Sequence, residues 1–318
     1  MKLEIGVQSF NIVHDENPAE GFELMKKAGF DCCDFSLNRY MKNNDIYEEK
    51  NTRFFDKSVE ELKEFFTPHK EGAKKAGIRI HQMHMPYPLF VPGAKDEFND
   101  YLRDVVAKKS LEVCHFLDCK YIVVHGFKIA HYYGSEEAEW EEMRKFLEAI
   151  APLAKEYGIT MCMENLYGSL GSRHVEGPGC DAVKAAARID AMNEKFGAEV
   201  LGFCYDTGHG NLTGLDPYRF ITTLGKRLKL LHMHENDGIA DLHQIPYTFT
   251  RFRENRSILG WEGVLAALGE VGFDKVLNFE TGPVLGSFPT ELKGDALHML
   301  CRIGCYFSDQ IDLHRTDK

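Results

Sequence analysis

The chain has 318 residues, 44% hydrophobic and 27% charged, an ordinary balance for a globular protein, and is long enough for two domains or one large α/β barrel. The formal net charge of −11 opposes a polyanionic partner and weighs against nucleic acid. No apolar run approaches the roughly 18 residues of a membrane span, residues 1–10 lack the apolar core of a signal peptide, and the nine cysteines form no CxxC pair, so reduced thiols in a cytoplasmic protein are expected.

The predicted elements alternate along the chain. Residues 2–10 read as a strand, 18–28 as a helix stopped by Gly29, and 31–37 as a second strand. A helix over 56–76 ends at Gly77, the third strand and its exit loop cover 78–87, and 95–116 reads as a helix. The fourth strand is 120–126, followed by a helix over 136–157 that ends at Gly158. The fifth strand, 159–165, precedes a helix over 180–196 ended by Gly197. The sixth strand, 200–208, precedes a short helix over 216–224. The seventh strand is 228–236, followed by a helix over 261–271 ended by Gly272, the eighth strand over 275–281 and a closing helix over 290–307. Short apolar strands alternating with helices predict parallel strands buried on both faces. Eight such units predict a single (β/α)8 TIM barrel over 1–318. An open doubly wound sheet is the alternative, but Ser9, Phe10, Asn11 and Ile12 follow the first strand where that fold carries a glycine-rich phosphate turn.

In a TIM barrel the active site lies at the C-terminal ends of the strands. Strands three to eight end at His84, at His125, at Glu164 and Asn165, at Asp206 and His209, at His234, and at Glu280. The stretch 228–243 holds His232 and His234 two apart in a strand, then Asp241 and His243 beyond a turn. Carboxylates and imidazoles from several strands make a mixed oxygen and nitrogen site for Mn²⁺, Mg²⁺ or Zn²⁺. Such an ion polarises a carbonyl and acidifies the adjacent C–H, and a nearby carboxylate moves the proton. Trp261 and Tyr87 near the mouth are candidates for stacking on a sugar ring. Lys128 reads as a solvated lysine and His232 as a hydrogen-bonded core histidine.

The motifs MEN at 163–165, YDTGH at 205–209, HMHENDG at 232–238, DLH at 241–243 and NFE ending at Glu280 together resemble the xylose isomerase-like TIM-barrel superfamily. That superfamily includes sugar phosphate isomerases and epimerases, ketose 3-epimerases, inosose dehydratase and endonuclease IV. The resemblance implies metal ligands at Glu164, Asp206, His234 and Glu280, with His234 chosen over His232 because x-Asn-Asp follows it. It implies proton exchange by Glu164 and Glu280, and a ligand or substrate-binding role for His209. It implies a divalent-metal-dependent sugar or sugar phosphate isomerase/epimerase working through a metal-stabilised enediolate, forming a homodimer or homotetramer. A keto-polyol dehydratase shares the first step. The further ligand positions of endonuclease IV match His84, His125, Asp241 and His243, which makes a multi-zinc phosphodiesterase the second implication; in a sugar enzyme His84 and His125 would contact substrate. The chain departs from the ketose 3-epimerases at Leu170 and Ala240, where those carry a substrate-binding Glu and Arg. Arg251, Arg253 and Arg256, with Phe249 and Phe252, would bind a phosphate or cover the mouth.

Overall fold

Eight short strands with both faces covered form the centre of the structure, a computed structural model that describes residues 2–50, 52–129, 135–249 and 259–315. They are β1 (Ile5–Gln8), β2 (Cys32–Ser36), β3 (Arg79–His84), β4 (Tyr121–His125), β5 (Thr160–Glu164), then, beyond a hairpin of β6 (Tyr167–Leu170) and β7 (Arg173–Glu176), β8 (Leu201–Asp206), β9 (Leu228–His232) and β10 (Leu277–Phe279). The parallel strands adjoin in the order β10-β1-β2-β3-β4-β5-β8-β9. Met233 closes the ring: its N–H donates to Asn278 O at 2.9 Å, and its carbonyl accepts from Glu280 N at 3.2 Å. This is the expected (β/α)8 barrel.

The helices are α1 (Pro18–Ala28), α2 (Asn43–Tyr47), α3 (Val59–Ala76), α4 (Asp96–Tyr101), α5 (Lys108–Phe116), α6 (Glu136–Tyr157), α7 (Ala182–Phe196), α8 (Thr207–Thr213), α9 (Pro217–Leu224), α10 (Trp261–Glu270), α11 (Gly282–Ser287) and α12 (Thr290–Leu313). The predicted stops at Gly77 and Gly158 are left-handed caps, with φ of 69° and 63°, where glycine avoids the penalty of a Cβ. The predicted helix over 95–116 is α4 and α5 joined through a π-helical turn at Leu102–Ala107.

Three differences from the expected elements bear on the site. The sixth strand stops at Asp206, because the Asp206 carboxylate accepts from His209 N at 2.6 Å and starts α8 there. The seventh strand stops at His232. The chain then doubles back, and Glu235 and Gln244 exchange backbone hydrogen bonds of 2.8 and 2.7 Å, which carries Asp241 and His243 over the barrel mouth. The β6–β7 hairpin was not expected; it stands beside that mouth. Trp261, expected at the mouth, is instead fully buried at the start of α10, its ring 4.9 Å from Phe307. Among the described residues no helix is long and apolar enough to cross a membrane.

Candidate metal centre

Inside the barrel, Val123, Cys162, Cys204 and Leu230 form a small apolar cluster of their own. Side chains two residues further along a strand point the same way. The next layer up is therefore His125, Glu164, Asp206 and His232. Strand register confirms the level: His125 pairs with Glu164 and Asp206 with His232. An apolar plug thus carries a polar layer at the C-terminal ends of the strands.

That layer and its neighbours form contiguous groups. Glu164, Asp206, His232 and Glu280 each bring one ligand-type atom within 4.8 Å of the others. His84, His125 and Glu164 form a second such group, His234, Asp241 and His243 a third, and Asp34, His84 and His232 a fourth. The expected quartet placed His234 with the three carboxylates. The structure puts His232 there, because its register partner is Asp206. His234 lies two residues past the strand end, 3.0 Å from Asp206 Oδ2 and stacked on His243 at 4.0 Å.

His232 Nδ1 lies 3.3 Å from Glu164, 3.5 Å from Glu280 and 3.9 Å from Asp206, while Nε2 is 3.4 Å from Asp34. Neither ring nitrogen makes a hydrogen bond of proper geometry, and nor does Glu164 Oε2, although all three are buried. Buried polar atoms are rarely left this way. Three carboxylates facing one buried imidazole nitrogen, Nδ1 of His232, that makes no hydrogen bond fit a divalent cation.

The charges are strongly coupled. Burial would raise the Glu164 pKa, but His232 and His125 outweigh it and hold the carboxyl well below its ordinary value. Burial likewise works against ionisation of Asp206, and His209 and His234 override it. Burial disfavours the His209 imidazolium, yet Asp206, Asp241 and Glu164 push its pKa well up. For His243 burial is outweighed by Asp241 and Glu280, and its pKa rises to about 9. In His125 burial wins and the pKa falls.

The other motif residues hold the frame. Asn165 brackets the end of β8: its amide donates to Asp206 O at 2.9 Å and accepts from Asp206 N at 2.8 Å. Thr207 Oγ1 donates to His234 O at 2.7 Å. Asn236 donates to Gly208 O at 2.9 Å, and Asp237 accepts from Ile239 N and Ala240 N.

The groups floor a cavity of about 570 Å³ lined by His84, His125, Glu164, His209, Asp241, His243 and Glu280, with Tyr87, Lys128 and Tyr167 above. Trp261 does not line it. Sequence reasoning missed Asp34 and Gln8. Asp34 is fully buried, 3.1 Å from His84 Nδ1, and Gln8 Nε2 donates to Glu280 Oε1 at 2.8 Å. The available signal was a lone carboxylate between Cys33 and Phe35 in an apolar strand. Lys128, expected in solvent, is half-buried with its amine 5.1 Å from the centre of the Tyr167 ring. Leu170 is exposed on the hairpin. Arg251, Phe252, Arg253 and Arg256 lie outside the described residues.

Fold and site together define a TIM barrel whose strand ends carry a divalent-metal type of donor set. A model of the xylose isomerase-like TIM barrel matches residues 22–300, and the chain belongs to that family. Among solved structures it is similar to 3-keto-D-glucoside 4-epimerase from E. coli, at 15% identity and a TM-score of 0.66 over 95% of this chain and 100% of that one. It is similar to D-psicose 3-epimerase determined in the presence of D-fructose, at 15% and 0.66 over 96% and 99%. It is also similar to the IolI protein with a bound zinc atom, at 16% and 0.63 over 99% and 100%. Two curated relatives are uncharacterized proteins, from Sinorhizobium fredii (30% identical, 27% of this chain) and Methanocaldococcus jannaschii (25% identical, 46% of this chain). The matches span 25% and 48% of the lengths of those relatives.

Proposed function

We propose that the chain is a divalent-metal-dependent sugar isomerase or epimerase. The observation that carries this reading is the placing of Glu164 and Glu280 in one buried ligand-type group at the floor of the cavity. The fold neighbours, whose names include sugar epimerases acting on keto sugars, support it. Glu164, Asp206, His232 and Glu280 would hold the ion, with His232 taking the position expected for His234. The bound ion would supply Lewis-acid polarisation of a substrate carbonyl. One of Glu164 and Glu280 takes the proton from the carbon beside that carbonyl, and a carboxyl returns it to the neighbouring carbon or the opposite face. Gln8 holds Glu280 through its 2.8 Å hydrogen bond, and His125 faces Glu164 at 3.0 Å. His209 is aimed between Glu164 and Asp241 and would orient a substrate hydroxyl. The test is incubation of the Mn²⁺-loaded protein with keto sugars in D₂O. Deuterium entering the carbon beside the carbonyl is expected, and its absence across ketohexoses and ketopentoses would overturn the reading.

A second reading is supported by the two outer groups, His84/His125/Glu164 and His234/Asp241/His243. Filled together with the central group, they would form a three-ion phosphodiesterase site of the endonuclease IV type. Metal count under native conditions separates the two: one tightly held ion is expected for the sugar enzyme, and three for the phosphodiesterase.

A further inference from the structure

A second cavity of about 470 Å³ adjoins the first. Tyr87 and Lys128 line both, so the two meet at that pair. The second cavity lies between the β6–β7 hairpin, through Ser169 and Val175, and the starts of α6 and α7. Each cavity falls within the roughly 300–1,000 Å³ that accommodates a whole small ligand. A single sugar ring over Glu164 and Glu280 therefore leaves the second one empty.

The lining of the second cavity selects what enters it. Among the described residues it carries five carboxylates, Glu136, Glu137, Glu139, Glu176 and Asp181, against Lys128 and Lys184. Lys184 and Arg188 already bind Glu136 and Glu137. The balance stays negative, and a phosphate or carboxylate would be repelled there. At the junction Tyr87 and Tyr47 stand edge to face, centroids 6.5 Å apart, a surface on which an uncharged sugar ring can stack. The Ser169 hydroxyl and the carboxylates of Glu176 and Asp181 suit a ring rich in hydroxyl donors.

We infer that the substrate is a keto sugar joined by a glycosidic bond to a second, uncharged sugar ring, which occupies the cavity between the hairpin and α6–α7. This rests on the sugar reading above and narrows its substrate class. The test is calorimetric binding to the Mn²⁺-loaded full chain of three probes: D-fructose, its glucosyl disaccharide isomaltulose, and fructose 6-phosphate. Isomaltulose is expected to bind about tenfold or more tighter than fructose, a gain of about 1.4 kcal/mol. Val175→Trp, which fills the second cavity, is expected to erase that difference, and Ser169→Trp provides an independent obstruction from the other strand of the hairpin. The wild-type comparison stands whether or not either variant folds. Fructose binding as tightly as isomaltulose, or fructose 6-phosphate binding tightest, would overturn the inference and leave the sugar reading intact. If no probe binds, the inference falls, and the D₂O exchange test decides the sugar reading separately.

Discussion

Replacing His232 by alanine probes the centre at its most crowded point. The ring is fully buried and lies within 3.9 Å of Glu164, Asp206 and Glu280, and 3.4 Å of Asp34. Burial disfavours its imidazolium, but the carboxylates of Glu280, Glu164 and Asp34 outweigh that and raise its pKa well above the ordinary value. In metal-free protein it is thus a cation in contact with four buried carboxylates. Removing one member of such a buried pair costs about 3–5 kcal/mol. At about 2–4 °C per kcal/mol for a chain somewhat smaller than this one, the metal-free variant should melt about 10 °C lower. On the proposed reading, His232→Ala would remove a donor to the central ion, whereas His234→Ala would remove the partner that orients Asp206. The second change should cost about 10–100-fold in affinity, and the first should cost more. Mn²⁺ titration of both chelator-stripped variants, with melting curves in parallel, measures this. A larger loss of affinity in His234→Ala than in His232→Ala would refute the reasoning.

Glu164→Gln and Glu280→Gln should each lower turnover by about 10²–10⁴-fold while the fold persists; near-normal rates in both would remove them as proton carriers. In metal-free protein the His243 pKa is raised to about 9 from about 6.5 unfolded. Its contribution of about 3 kcal/mol is therefore fully present below pH ~6.5 and is lost as pH rises through about 9. Urea denaturation of chelator-treated protein at pH 6 and pH 10 should show the fall, and equal stability at both would contradict it. Gly208→Ala would drive a methyl into the His234 ring. The ring should swing away from Asp206 and Mn²⁺ affinity should drop about tenfold; unchanged affinity and melting temperature would show that the pocket yields.

The barrel was legible because its strands are short, apolar and separated by helices that end at glycine. The metal-type residues were legible because they follow those apolar runs directly. What periodicity could not show is where a strand ends. His232 and His234 share a face by spacing alone, and only the pairing of Asp206 with His232 puts the former in the carboxylate layer. Motif letters also mixed two roles. In MEN, Glu164 faces the cavity while Asn165 clamps β8; in HMHENDG, Asn236 and Asp237 shape the return loop. Trp261 was expected at the mouth, yet helix α10 turns it against Phe307. The hairpin was hidden because Tyr167–Leu170 and Arg173–Glu176 lack the apolar alternation of a half-buried strand.

The four ligand-type groups are not independent: the one formed by Asp34, His84 and His232 shares His232 with the central group. Glu164 belongs to both the central group and the group with His84 and His125. The central group brings three carboxylates, and each outer group brings one. A divalent ion is held most strongly where oxygen charge is greatest, so the central group should fill first. Once it has, Glu164 already serves one cation, and a second at His84 and His125 would share that carboxylate against like-charge repulsion. The outer group of His234, Asp241 and His243 keeps its own carboxylate but must shed the proton that Asp241 and Glu280 hold on His243. Stepwise affinities, with the first ion far tighter than the others, follow from these charges. That order would suit the proposed sugar enzyme, since His84 and His125 would then stay free of metal in the cavity they line.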